Sequence, residues 1–67
     1  MLTVKLNDQE THLDEPLNLA RALQGWGYQG GGFAVAVNGV FVHRENHPQV
    51  VLKNDDEVIV LTPMSGG

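Results

Sequence analysis

The residues with the clearest chemical potential are the last two, Gly66 and Gly67, which follow a β-rich stretch and close the sequence on a carboxylate. Glycine has no Cβ, so a diglycine tail adopts backbone angles closed to other residues and can enter a channel too narrow for any side chain. A tail of that kind delivers a carboxylate into another protein's active site. The carboxylate is anionic and its leaving group would be oxide, so it becomes an acyl donor only after activation. Formation of an acyl-adenylate with ATP is the obvious route. The competing reading is a frayed end, because chain termini tolerate glycine and are commonly disordered.

Two further constellations compete for a role. His43 and His47, with Glu45 between them, spell H-x-x-x-H. A metal site needs a third ligand and a helix long enough to hold both imidazoles on one face. Pro48 and the short span favour a solvated turn instead, so no metal is assigned. Gly25, Gly27 and Gly30 match G-x-G-x-x-G, but that fingerprint requires a strand before it and a helix opening after it. Here the glycines close a helix and run into a strand, and with Gly31 and Gly32 they read as a pliable connector. Nothing resembles a Ser/His/Asp triad, and the acidic residues fall on turns and strand ends, where they make no paired-carboxylate site.

The elements that must position the tail follow from hydrophobic periodicity. Leu2, Val4 and Leu6 alternate with Thr3 and Lys5, the pattern of a half-buried strand. Asn7-Asp8 reverses the chain, and Thr11, His12 and Leu13 form the returning strand with Leu13 inward. Asp14 or Glu15 followed by Pro16 signals a helix start, and Leu19, Ala22, Leu23 and Trp26 make one apolar face, with Gly25 or Gly27 at its end. Phe33 to Val37 is apolar throughout and rich in β-branched residues, which predicts a strand covered on both faces or nearly so. Asn38-Gly39 is a type I′ hairpin signal, with Val40, Phe41 and Val42 as the partner strand. His43 to Pro48 is an irregular turn, Gln49 to Leu52 a brief extended piece, and Asn54-Asp55-Asp56 another turn. Glu57 to Thr62 is the last strand, and Pro63 loosens its pairing before Met64-Ser65-Gly66-Gly67 projects.

Composition narrows the function classes. A chain of 67 residues is one domain that buries only about 60% of its unfolded surface. It has no cysteine, so disulfides, cysteine-ligated zinc, iron–sulfur clusters and a thiol nucleophile are excluded. Four basic residues against eight acidic ones give a net charge of −4, which argues against binding nucleic-acid phosphates. That charge suits a solvated surface or a docking face for a basic partner. The N-terminus enters its strand pattern without a signal peptide, and no apolar run is of membrane-spanning length, so the expectation is a soluble cytoplasmic protein with no membrane partner.

The order hairpin, helix, hairpin, short crossover and final strand resembles the ubiquitin-like β-grasp fold, an α+β class with a mixed sheet of four to five strands and one main helix on one face. In detail the chain resembles the ThiS family of sulfur carriers of thiamine biosynthesis. The resemblance spans residues 1–67 as one carrier domain with a flexible Gly-Gly tail. It rests on Leu2-Thr3-Val4-Lys5-Leu6-Asn7, on Ala36-Val37-Asn38-Gly39-Val40-Phe41-Val42-His43-Arg44, and on Asp55-Asp56-Glu57-Val58-Ile59-Val60 leading to Gly66-Gly67. Where the family commonly has Gly-Asp, this chain has Asp55-Asp56. The resemblance implies that an E1-like adenylyltransferase activates the Gly67 carboxylate with ATP and Mg, neither of them bound by the carrier itself. A persulfide donor then supplies sulfur, a thiocarboxylate forms on Gly67, and thiazole synthase incorporates the sulfur into the thiamine thiazole ring. Gly66, Ser65 and Met64 would be the tail entering partner channels, and Phe41 on the open sheet face a docking residue. The protein would be a cosubstrate and not an enzyme. Alternatives are the small subunit of molybdopterin synthase, a ubiquitin-like protein modifier, and a non-catalytic β-grasp interaction module.

Overall fold

The computed structural model describes residues 1–28 and 32–62. The predicted connector at Gly30 and Gly31, the loosening at Pro63 and the tail Met64–Gly67 lie outside the described residues. Five strands form one mixed sheet: β1 (Leu2–Leu6), β2 (Gln9–Leu13), β3 (Ala34–Val37), β4 (Val40–Val42) and β5 (Glu57–Leu61), in the spatial order β2-β1-β5-β3-β4. The helix α1 (Leu19–Gly25) follows β2, and a 3₁₀ segment (Arg44–Gln49) follows β4. This is the ubiquitin-like β-grasp architecture, with β1 and β5 parallel at the centre and the other pairings antiparallel.

Both hairpins are set by two-residue turns whose residues take positive φ. Asn7 and Asp8 stand at φ 49° and 69°, Asn38 and Gly39 at 53° and 82°, the left-handed angles a type I′ turn demands. Asp55 also stands at φ 72°, a left-handed angle that glycine adopts without steric cost and aspartate more readily than most other residues.

One face of the sheet is covered. Val4, Leu13, Val35, Val58 and Val60 point toward Leu19, Ala22 and Leu23 of α1 and toward Leu52, and these nine form the buried core among the described residues. Trp26 is half-buried against them. The helix ends in a Schellman motif, with the Tyr28 N–H donating to the Leu23 carbonyl (2.9 Å), the Gly27 N–H to the Gln24 carbonyl (3.1 Å), and Gly27 at φ 95°.

Three predicted features are corrected. The helix begins at Leu19, not beside Pro16: Asn18 is its N-cap, its side chain accepting from the Arg21 N–H at 2.8 Å. The backbone before it is committed elsewhere, because the Leu19 N–H donates to the Val50 carbonyl and the Leu52 N–H to the Leu17 carbonyl, bridging this lead-in to the segment after the 3₁₀ turn. β3 is covered on one face only. Val35 is buried, whereas Ala34 and Ala36 are partly exposed on the helix-free side. The turn over His43 to Pro48 is a 3₁₀ helix, and His47 within it is buried, not solvated.

Candidate functional site

The described residues define the base from which residues 63–67 depart. β5 is the central strand, and polar side chains pin it at both ends. On the β1 side the parallel ladder runs from the Lys5 N–H to the Asp56 carbonyl (2.9 Å) and from the Asn7 N–H to the Val58 carbonyl (2.9 Å). β1 ends there, yet the ladder continues. The Asn7 side-chain amide mimics the next peptide group, accepting from the Val60 N–H at 2.8 Å and donating through Nδ2 to the Val60 carbonyl at 3.3 Å. At the other end, the Asn38 N–H donates to the Glu57 carbonyl (2.8 Å) and the Glu57 N–H to Asn38 Oδ1 (2.9 Å). Asn38 Nδ2 donates to Asp56 Oδ1 (2.9 Å), and the other oxygen of Asp56 accepts from the Lys53 N–H (2.8 Å). The sequence marked Asn7 and Asn38 as turn formers only; their positive φ frees each side chain to reach β5, a contact no local pattern reveals.

Asn7 is therefore a test of how far β5 is held toward the tail. The variant Asn7→Gly keeps the left-handed turn and removes only the two side-chain bonds, each worth about 1 kcal/mol. Native-state hydrogen exchange at the Val60 amide should accelerate about tenfold or more, while amides of α1 keep their protection. Unchanged exchange at Val60 would show that the side-chain ladder holds nothing.

The helix-free face carries the other candidate. Register places Phe41 beside Ala36 and Ala36 beside Ile59, with Ala34 beside Leu61. Phe41 is 55% exposed, Ile59 43% and Leu61 66%. Small alanines on β3 thus separate large apolar side chains on β4 and β5, giving an open apolar stripe that leads along β5 toward residue 62. His43 packs edge-on against Phe41, with ring centroids 4.9 Å apart. His47 does not join it: its Nε2 lies 3.2 Å from the Val42 carbonyl, to which it must donate, and its ring stacks on Phe33. The H-x-x-x-H pair is thereby split between two environments. Among the described residues no group of three or more His, Asp or Glu side chains is placed to hold a metal.

The family model for ThiS matches residues 2–67. The chain belongs to the ThiS family. Two solved structures agree with the family assignment. The crystal structure of the thiamine biosynthesis protein ThiS from Geobacter metallireducens is 28% identical, with a TM-score of 0.84, and the match covers 98% of this chain and 100% of that one. The solution structure of a thiamine biosynthesis protein from the same organism is 26% identical, with a TM-score of 0.82, covering 98% of this chain and 88% of that one. No curated protein matches the sequence. Of the predicted site residues, Phe41 lies on the open stripe, while Met64, Ser65, Gly66 and Gly67 lie outside the described residues. No helix among those residues is long and apolar enough to cross a membrane.

Proposed function

We propose that this ThiS-family chain is a sulfur carrier of thiamine biosynthesis whose cargo is held on the Gly67 carboxyl group. The observation that carries the reading is the family match running through the diglycine at Gly66 and Gly67. The pinned central strand supports it, since a carrier needs a rigid base immediately before the residues that enter a partner.

In this reading a carboxylate oxygen of Gly67 attacks the α-phosphorus of Mg-ATP in the E1-like enzyme, releasing pyrophosphate and leaving an acyl-adenylate. The terminal sulfur of a persulfide attacks the acyl carbon and expels AMP. A second thiol then cleaves the sulfur–sulfur bond, leaving the thiocarboxylate on Gly67 and a disulfide on the donor side. The chain has no cysteine, so both sulfur groups come from partners. Thiazole synthase is the acceptor. The carrier is consumed and regenerated as a cosubstrate, and it catalyses no step itself.

Intact mass of the protein from its own host, and after incubation with ATP, the activating enzyme and a persulfide source, tests this directly. The expected gain equals replacement of one oxygen by sulfur, located at Gly67 and lost on alkaline hydrolysis. An unmodified mass, with the enzyme active on a control carrier, would leave a β-grasp interaction module as the better reading. Gly67 found in an isopeptide bond would point to a protein modifier.

Phe41 supplies a second test, on docking. Its side chain is 55% exposed, so Phe41→Asp should leave the fold intact at a cost of roughly 1–2 kcal/mol, from the lost contact with His43 and the low strand propensity of aspartate. An aromatic anchor in an apolar patch is typically worth about 2 kcal/mol or more at an interface. Adenylation of the variant at subsaturating carrier should therefore slow by at least about tenfold. Equal rates for the two proteins would place the docking surface elsewhere.

A further inference from the structure

A groove of about 450 Å³ lies on the opposite side of the molecule from the apolar stripe, between α1 and the 3₁₀ segment. Its floor is Leu23, Tyr28, Phe33 and the buried His47, with the Tyr28 and Phe33 rings 5.7 Å apart and tilted. One wall carries Arg21 from α1 and the other carries Arg44 from the 3₁₀ segment, both exposed. The chain has only four basic residues against eight acidic ones, yet two of the four line this groove and none of its lining residues is acidic. The shallow depression continuing past Arg21 also lacks a carboxylate; the one beyond Arg44 includes Glu45. His47 is fixed as part of the floor because its Nε2–H is committed to the Val42 carbonyl.

We propose that this groove binds an acidic segment of a partner protein, in which two carboxylates engage Arg21 and Arg44 while an apolar or aromatic side chain between them covers Tyr28 and Phe33. Guanidinium groups favour planar carboxylates through paired N–H donors and also stack on aromatic faces. The cations stand on the two elements that flank the groove, with the aromatic rings of Tyr28 and Phe33 in its lining. A lone inorganic anion would meet one wall and leave the floor uncovered, and a mononucleotide carries its charge at one end only. An extended acidic peptide matches both walls and the floor. The surface is separate from the stripe around Phe41, so a carrier docked through that stripe still presents the groove.

The test is a titration of the ¹⁵N-labelled protein with a blocked peptide of alternating glutamate and phenylalanine. The same peptide with glutamine for glutamate, inorganic phosphate and AMP are run in parallel. Saturable shifts at the amides of Leu23, Gln24 and Arg44 are expected from the glutamate peptide alone, reversed by about 0.5 M salt. Arg21→Gln and Arg44→Gln should each weaken binding about tenfold. Both side chains are exposed, so folding should persist; if either variant fails to fold, Arg21→Lys and Arg44→Lys retain the charge and should bind more weakly than the parent. Absence of saturable groove shifts overturns the proposal, as does binding that both glutamine variants leave intact. Equal saturation by phosphate or AMP would reassign the groove to a small anion, and shifts confined to Phe41 and Ile59 would assign the peptide to the open stripe.

Discussion

A chain shortened by Gly66 and Gly67 is expected to fold with an unchanged Tm and to accept no sulfur. Among the described residues, every hydrogen bond that ties β5 to β1 and β3 involves residues up to Leu61, and the buried residues of this strand are Val58 and Val60. Deletion removes no contact made between the described residues. Its effect on chemistry is large. The new terminal carboxylate belongs to Ser65, which has a Cβ and a hydroxyl, and its reach is shorter by up to about 7 Å, since a residue spans at most roughly 3.5 Å. Misplacement of reacting groups by about 1 Å already costs on the order of a hundredfold. Adenylation should fall below detection, and a host lacking its own carrier should not grow without thiamine. Thiocarboxylate formation within about tenfold of the full chain would remove Gly67 as the cargo site. Gly66→Val separates reach from width: it keeps the carboxylate at full length but adds a branched side chain. A narrow partner channel predicts a severe loss for this variant as well, whereas a wide one predicts near-normal transfer.

The contrast between tail and base also shows which features were legible in the sequence. Both hairpins were readable because Asn7-Asp8 and Asn38-Gly39 carry their turn geometry in the residues themselves, and the α1 face because Leu19, Ala22 and Leu23 keep helical spacing. The helix-start signal at Pro16 misleads because it is local. The backbone of residues 17 to 19 is claimed by Val50 and Leu52, distant in sequence. The unbroken apolar run from Phe33 to Val37 suggested cover on both faces, but alanine at 34 and 36 is small enough to lie on an open face at little cost. His47 read as solvated because neither its stacking on Phe33 nor its bond to Val42 follows from a period. The groove is hidden for the same reason: Arg21 and Arg44 line one groove only because the 3₁₀ segment packs against α1. Local chemistry was thus visible and long-range pairing was not, and Asn7 belongs to both groups, a predicted turn residue whose side chain extends the central ladder.

Leu52→Ala is expected to destabilise the fold severely. Leu52 sits in the segment that the sequence marks only as a brief extended piece, yet it is fully buried and belongs to the same core as Val4, Leu19, Val35 and Val58. Its N–H is held by the Leu17 carbonyl at 2.9 Å, so the backbone cannot easily move to fill the space a truncated side chain leaves. Leucine-to-alanine changes at such sites cost about 2–5 kcal/mol. A domain of this size has a total stability of roughly 3–10 kcal/mol, so the variant should lose about half of it, lowering Tm by at least about 10 °C. Leu61→Ala is the matched control, because Leu61 is 66% exposed and its loss should cost no more than about 0.5 kcal/mol. Leu52→Met, which conserves volume, should cost less than about 1.5 kcal/mol. Similar midpoints for Leu52→Ala and Leu61→Ala in urea would contradict the packing described. A large gap between them would show that the crossover from the 3₁₀ segment to β5 is a structural clamp. It fixes α1 against the sheet, so that the strand leading to the diglycine has a rigid base.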